Sequence, residues 1–511
     1  MNLKTVAKGN SRHEMVRLIS IAYLLLPLAV FMVGYVRPLI GAPAIIVLAY
    51  VFCRACRTMK VDISRPVAFS GKMLLCLGVG VLVWTYLGGQ GGMWYQSQDW
   101  FVRNAIYRDL ILRPWPVVYQ EHNSALCYYI GHWLVPGGIA HMLVPIIGEQ
   151  LSLAIGDLLL WGWTWLGVML VALNIFEYLK LNATKNYVIA FAILVFFSGL
   201  DIVGALLKGR IGELLNPEVL HLEWWSGTQF SSLTTCLFWV FNQTVSAWLA
   251  TILFMREDNS SRYVAIAAGC FICGPFATVG LIILMVSAFC WDLYHRVNRG
   301  GLSGAYESLR SAFSLSNTLV LFVVLPPLVL YFMGNSALHA DSSQQVPSTA
   351  ISAKSLIAFI VLEVGLYVAL VARENRRNPL LLSSVFTFFV CLFVHVGVGY
   401  DFTMRASIPA LFVLMLMCAQ MVIDVAEKRK VSSCFAWRRR ILIGCLIVGA
   451  ITPAVEIYRG IYHVIDQGTI FLADESLYSI AGVDYKGPNG VSNFECYEYA
   501  EDPFFKYFSA Q

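Results

Sequence analysis

The chain has 511 residues, 58% of them hydrophobic and only 13% charged, with a mean hydropathy of +0.67. A soluble protein of this length carries roughly twice that charged fraction, so a water-soluble class is excluded and no nucleic acid is expected among the partners. The net charge of +5 says little, because membrane proteins distribute charge by side and not by sum.

Apolar runs, each close to the roughly 20 residues that cross a bilayer, recur from Val16 to Ile457. The first follows a basic segment (Lys4, Lys8, Arg12, Arg17) and lacks the short apolar region and cleavage site of a signal peptide, so it reads as a retained anchor. Spans are expected at 17–36, 39–56, 72–88, 151–176, 186–206, 232–255, 263–273, 275–291, 314–334, 354–371, 378–397, 403–424 and 440–457. The seventh and eighth are divided at Cys273-Gly274-Pro275. Residues 124–146 are also apolar, but Pro136-Gly137-Gly138 breaks the run and His132 and His141 interrupt it, so this piece reads as a juxtamembrane or re-entrant element. The thirteen cysteines lie mostly within apolar runs, where Cys behaves as a small hydrophobe. Cys53 and Cys56 form a CxxC with no second pair, which argues against a zinc site.

The expected fold class is therefore all-α and integral to the membrane: about thirteen transmembrane helices over 1–457, then a short tail, 458–511. The clusters Arg54–Lys72, Arg373/Arg376/Arg377 and Lys428–Arg440 fall on one side in this arrangement. The positive-inside rule makes that side cytoplasmic, with the N-terminus there and the tail on the outer face. The large outer segments are then 88–150, 207–231, 335–353 and the tail. No cytoplasmic segment is large enough for a nucleotide-binding domain, and no GxxxxGK[ST] or GxGxxG motif precedes one. An energy-rich substrate is expected to be membrane-borne or already outside.

Three outer clusters carry chemistry. In QDWFVRNAIYRDLILRPWPVVYQEHN, Asp99 opens a helix over 100–112 with apolar residues on one side and Arg103, Asn104 and Arg108 on the other, suited to the interface plane. Asp99 is a favoured N-cap type, and the arginines either snorkel to lipid headgroups or bind substrate; His122 follows. The second cluster, FSGLDIVGALLKGRIGELLNPEVLHLEWWSGTQ, places Asp201 near the outer end of a span, where an ionisable residue suggests function. Lys208, Arg210, His221, Glu223, Trp224, Trp225 and Gln229 follow it. The tryptophans serve equally as interfacial anchors. The third, DFTMRASIP, sets Asp401 and Arg405 four apart. They form an i,i+4 ion pair, or Arg405 binds an anionic head group through its planar fork.

An acidic residue in the first large outer loop, an interfacial helix and a half-buried aromatic stretch resemble the type C (GT-C) membrane glycosyltransferases. The match rests on Asp99, the helix 100–112, Leu126-Cys127-Tyr128-Tyr129-Ile130-Gly131-His132-Trp133 and the later Leu200-Asp201-Ile202. HLEWW, FSGLD and DFTMRASIP are similar to stretches of a bacterial glycosyltransferase-like set of unassigned substrate. The sequence departs from the usual pattern: Asp99 stands between Gln98 and Trp100 where many members have two acids, and the Pro-Pro pair is absent. The resemblance implies transfer of a sugar from a polyprenyl-phosphate-linked donor to a glycan or lipid acceptor at the outer face of a bacterial cytoplasmic (inner) membrane. Asp99 would be the general base, and Asp201 and Glu223 would orient the acceptor. Arg103, Arg108, His122, Lys208, Arg210, His221, Trp224, Trp225, Gln229, Asp401 and Arg405 would contact substrate. A divalent cation, Mg²⁺ or Mn²⁺, would sit on Asp99 and Asp201 if one is used. The rival readings are a transporter or flippase of a lipid-linked or anionic saccharide, and a non-catalytic scaffold of the same fold.

Overall fold

The computed structural model describes residues 3–58, 69–97, 99–210, 222–339, 352–394, 401–423, 432–467, 478–482 and 492–510. In lipid each backbone N–H and C=O must be satisfied within the protein, and a helix does this within a single segment. The described residues are accordingly almost all helical. In chain order the helices are α1 (Leu3–Gly34), α2 (Pro38–Thr58), α3 (Gly71–Leu87), α4 (Trp100–Leu112), α5 (Gly131–Ile147), α6 (Glu149–Tyr178), α7 (Thr184–Phe196), α8 (Asp201–Leu207), α9 (Leu233–Trp239), α10 (Phe241–Met255) and α11 (Tyr263–Phe271). There follow α12 (Pro275–Ala312), α13 (Leu315–Leu319), α14 (Leu325–Met333), α15 (Ala353–Ile360), α16 (Leu366–Asn375), α17 (Pro379–Phe393), α18 (Asp401–Ala406), α19 (Ile408–Ile423), α20 (Ser433–Gly449) and α21 (Ile451–Gln467). Their starts carry ordinary signals. The hydroxyls of Ser70, Ser314, Ser352 and Ser432 each accept an N–H of the first turn, and Asn378 caps a helix that begins with Pro379.

Among the described residues, eight stretches are long and apolar enough to cross a membrane: Met15–Gly34, Pro38–Thr58, Glu149–Tyr178, Thr184–Leu207, Pro275–Ala312, Leu315–Met333, Ala353–Asn375 and Ser433–Asp466. The chain is thus a multi-pass membrane protein. Four of the other expected elements form shorter apolar helices, Gly71–Leu87, Gly131–Ile147, Pro379–Phe393 and Ile408–Ile423. The proline-interrupted piece is among them: α5 runs through Pro136 and Pro145 and packs its glycines against Tyr107 and Trp115. Expected span 232–255 is divided at Val240, and 263–273 holds only a nine-residue helix.

Several of the spanning stretches are interrupted. The α7–α8 stretch opens at 197–200, α20 gives way to α21 at Ala450, α15 joins α16 through a π-helical turn, Val361–Gly365, and α13 joins α14 through another, Val320–Val324. The core has aromatic stacks between α3, α4 and α10; Trp84 stacks on Trp248 and Trp100 on Phe241, and all four are buried. At the far end of α10, buried charges knot four segments together. Glu257 accepts from Arg17 and from Arg262, both at 2.7 Å, and Arg256 pairs with Glu177 at 2.5 Å.

The first large loop and the tail build one small sheet. Strand β1 (Val118–Tyr119) pairs antiparallel with β2 (Ser124–Leu126), and β2 pairs antiparallel with β3 (Glu495–Tyr497). Phe504 then packs on Phe31 and Tyr331, and Arg37 donates to the carbonyls of Lys506 and Ser509. These parts of the tail are integral packing.

Candidate functional site

α4 is more enclosed than an interfacial helix with one open polar face. Arg103 is 4% exposed, and Asp109 is buried where Tyr119 Oη–H and the Ile480 N–H both donate to it at 3.0 Å. Burial pushes the Asp109 carboxyl up, and these hydrogen bonds hold part of that rise back. At Asp109 the enclosing element is the tail, whose 480–482 turn packs on α4 there. Asp99 does not cap the helix: its backbone is already helical and its side chain makes no capping bond. Its Oδ2 accepts from Arg103 Nη2 at 2.9 Å instead.

The same device recurs on α18, where Asp401 pairs with Arg405. In both pairs the carboxylate is open to solvent and the guanidinium is sunk into the protein: Asp99 and Asp401 side chains are 46% and 36% exposed, against 4% and 6% for their arginines. Each guanidinium keeps an unpartnered N–H, Arg103 at Nη1 and Arg405 at Nε. A buried guanidinium N–H without an acceptor is costly, so both hold capacity for an anionic oxygen.

The two pairs converge on Tyr128 and Tyr129, whose rings stack with centroids 4.4 Å apart. Burial pushes the Tyr128 phenol above its ordinary value; Arg103 and Arg405 both pull it back, while Asp401 and Asp99 oppose them. All four charges therefore act at one point. Arg405 also faces Tyr129. Beyond Tyr129 lie Phe276, Phe332 and, against Phe276, Phe402. The site thus pairs two arginine forks with an aromatic wall. Arginine forks suit phosphate oxygens, and the wall suits an apolar chain.

A second cluster, deeper, gathers the other two expected acids. Asp201 begins α8, is 1% exposed, and accepts from Ser198 and Thr452 hydroxyls at 2.8 and 2.9 Å. Its third neighbour is the Glu363 carboxyl, brought there by the π-helical turn. Trp225 Nε1 donates to Glu363 Oε1 at 3.1 Å, and Trp225 in turn lies flat against Gly204, where a Cβ would overlap the indole. Glu223 accepts from the Ser232 N–H at 2.8 Å and from Gln229 Nε2 at 2.7 Å. Burial, with the nearby Asp201 charge adding, pushes Glu223 up to about 8. Cys236 lies within the fields of both Glu223 and Arg405 and so links the two clusters.

The remaining expected contacts disperse. Arg108 sits over the Tyr478 ring at 5.4 Å. His122 meets Glu495 at 3.1 Å beside the sheet. Lys208 donates to Ser355 at 2.6 Å, and Arg210 to the Trp224 carbonyl at 3.1 Å. Trp224 is half exposed and donates to Gln229 Oε1. His221 lies outside the described residues. A cation on Asp99 and Asp201 does not fit the donors present. Asp99 is tied to Arg103 and open to solvent, whereas Asp201 is enclosed by hydroxyls and Glu363. Among the described residues no group of three His, Cys, Asp or Glu is placed to hold a metal ion. Glu363, beside Asp201, is absent from the residues the sequence singles out; an ionisable residue inside an apolar run is the signal that points to it. No family model, curated protein or solved structure matches the chain.

Proposed function

We propose that the chain is a membrane glycosyltransferase, similar in plan to the type C enzymes, which moves a sugar from a polyprenyl-phosphate-linked donor to a glycan or lipid acceptor at the outer face of a bacterial cytoplasmic membrane. The observation that carries this reading is the pair of buried guanidiniums, Arg103 and Arg405, each with an unpartnered N–H, converging beside Tyr128 and Tyr129. In the reaction an acceptor hydroxyl oxygen bonds to the anomeric carbon as the bond from that carbon to the phosphate oxygen breaks. The two arginines take up the charge that grows on the leaving lipid phosphate, where fixed donors in a dry site act most strongly. The hydroxyl proton passes to Asp99, whose Oδ1 is not engaged by Arg103. Asp401 keeps Arg405 in place, and Phe276, Phe332 and Phe402 line the way for the first units of the polyprenyl chain.

The test is release of polyprenyl phosphate from a panel of polyprenyl-linked sugars by the purified protein in lipid nanodiscs. Turnover that falls about 10²- to 10⁴-fold in Asp99→Asn, with donor binding retained, supports the reading. Arg405→Lys keeps the charge but loses the fork, and should weaken donor binding about 10- to 100-fold. Donor binding without turnover in the wild type would refute transfer.

One observation favours a second reading, a transporter or flippase of a lipid-linked saccharide. Interrupted helices that meet around ionisable groups are how many secondary transporters build coupling-ion sites, and the α7–α8, α15–α16 and α20–α21 interruptions meet at Asp201 and Glu363. Movement of labelled donor across proteoliposomes without sugar release would select that reading.

A further inference from the structure

Three interrupted stretches share one crossing point. Ser198, Gly199 and Asp201 lie at the α7–α8 break, Glu363 in the π-helical turn, and Gly449 and Thr452 at the α20–α21 break. They are in contact: a Cβ on Gly199 would overlap Glu363 Oε2, and one on Gly449 would fall 2.7 Å from the Ser198 carbonyl and 2.8 Å from Tyr367 Oη. Thr452 reaches Asp201 across the same junction.

The donors at this point do not balance the acceptors. Asp201 Oδ2 receives two hydroxyl hydrogens and Glu363 Oε1 receives the Trp225 indole hydrogen, but Glu363 Oε2, in a residue 2% exposed, has no donor from the protein. The neighbouring carboxyl at hydrogen-bonding reach is that of Asp201. Two carboxylates are acceptors only, so this contact is a hydrogen bond only when one carboxyl carries a hydrogen. The surrounding groups offer no substitute. From α9 and the turn before it come Glu223 and Cys236, from α16 Tyr367, from α20 Cys445 and from α21 Glu456, whose partners are Trp239 and Arg459. The arginines identified around them are held by other carboxylates: Arg459 pairs with Glu456, and Arg405, which acts on Cys236, is held by Asp401.

We propose that Asp201 and Glu363 form a binding site for one exchangeable proton, placed where the three interrupted stretches cross, so that the proton joins α8 to the π-helical turn. The bound proton completes the hydrogen bond between the two carboxyls. Its loss leaves two negative charges in contact and drives the breaks apart. The site is independent of glycosyl transfer at Asp99, and its test reads neither turnover nor donor binding.

The experiment is labelling of the full chain in nanodiscs with dicyclohexylcarbodiimide, a hydrophobic reagent that adds to protonated carboxyls, followed by peptide mass mapping. The expected result is an adduct on Glu363 or Asp201 at neutral pH that declines about tenfold per pH unit above the titration point of the pair. Glu363→Gln should abolish labelling of position 363; its amide N–H₂ replaces the proton toward Asp201, so the variant should fold. The wild-type pH series stands alone if it does not. Failure of both residues to label in the folded protein, with the same peptides labelled after unfolding, would overturn the proposal. Labelling that ignores pH but is blocked by sodium would also overturn it, and would make the site one for a metal cation.

Discussion

Glu223→Gln tests the deeper cluster most directly. Glu223 is 2% exposed and stands at about 8, raised first by burial and then by the Asp201 charge, whereas an ordinary glutamate titrates at 4.5. Between those values the folded chain holds a proton that the unfolded chain has released. Stability is therefore greatest below about pH 4.5, falls as pH rises, and levels off above about pH 8. At 1.36 kcal/mol per unit the whole loss is at most about 5 kcal/mol. The interaction with Asp201 spreads part of it over both residues, so a slope of about 1–5 kcal/mol across the window is expected. The substituted amide cannot titrate. The change should cost about 1–3 kcal/mol at every pH, because the Gln229 amide now faces another amide, but it should remove the slope. Thermal unfolding of wild type and variant, followed by tryptophan fluorescence in nanodiscs from about pH 5 to about pH 9, gives the comparison. The variant should gain steadily on the wild type as pH rises. Parallel curves would refute a buried, proton-holding Glu223.

Three further outcomes are expected. Asp99→Asn should reduce turnover with little change in folding, since the side chain is half exposed and its one bond is to Arg103; an unfolding midpoint lowered in step with activity would argue for a structural role. Gly204→Ala drives a methyl into the Trp225 indole and should destabilise by about 1–3 kcal/mol, with a shifted tryptophan emission as the sign that Trp225 has moved off Glu363. Glu257→Ala leaves Arg17 and Arg262 buried without their shared acceptor and should cost about 3–5 kcal/mol, read as a lowered midpoint at unchanged donor binding.

Helical spans were legible because the bilayer enforces a length and an apolar composition that a sequence displays openly. The i,i+4 spacing likewise exposed the Asp401–Arg405 pair. The burial of Asp109 was not legible. The α4 pattern is that of an interfacial helix, and the tail, 371 residues away in the chain, closes over Asp109. The contact of Asp201 with Glu363 was also hidden. It depends on one extra residue per turn in the π-helical segment, and VLEVG carries no local signal for that. Strand β3 is three residues long, too short for period-two patterning to stand out.

The sheet that ties β2 to β3 also orders events in time. Ser124 and Glu495 are 371 residues apart, and ribosomes add about 5–20 residues per second, so roughly 20–75 s separate the emergence of the two strands. During that interval the β1–β2 hairpin has an unpaired edge, the state most open to wrong partners. The Asp109–Arg113 pair of the first loop is made early, but the Ile480 N–H that closes over it comes 371 residues later in the chain. Slowing or pausing translation between the two strands should therefore lower the yield of folded protein without altering a single native contact.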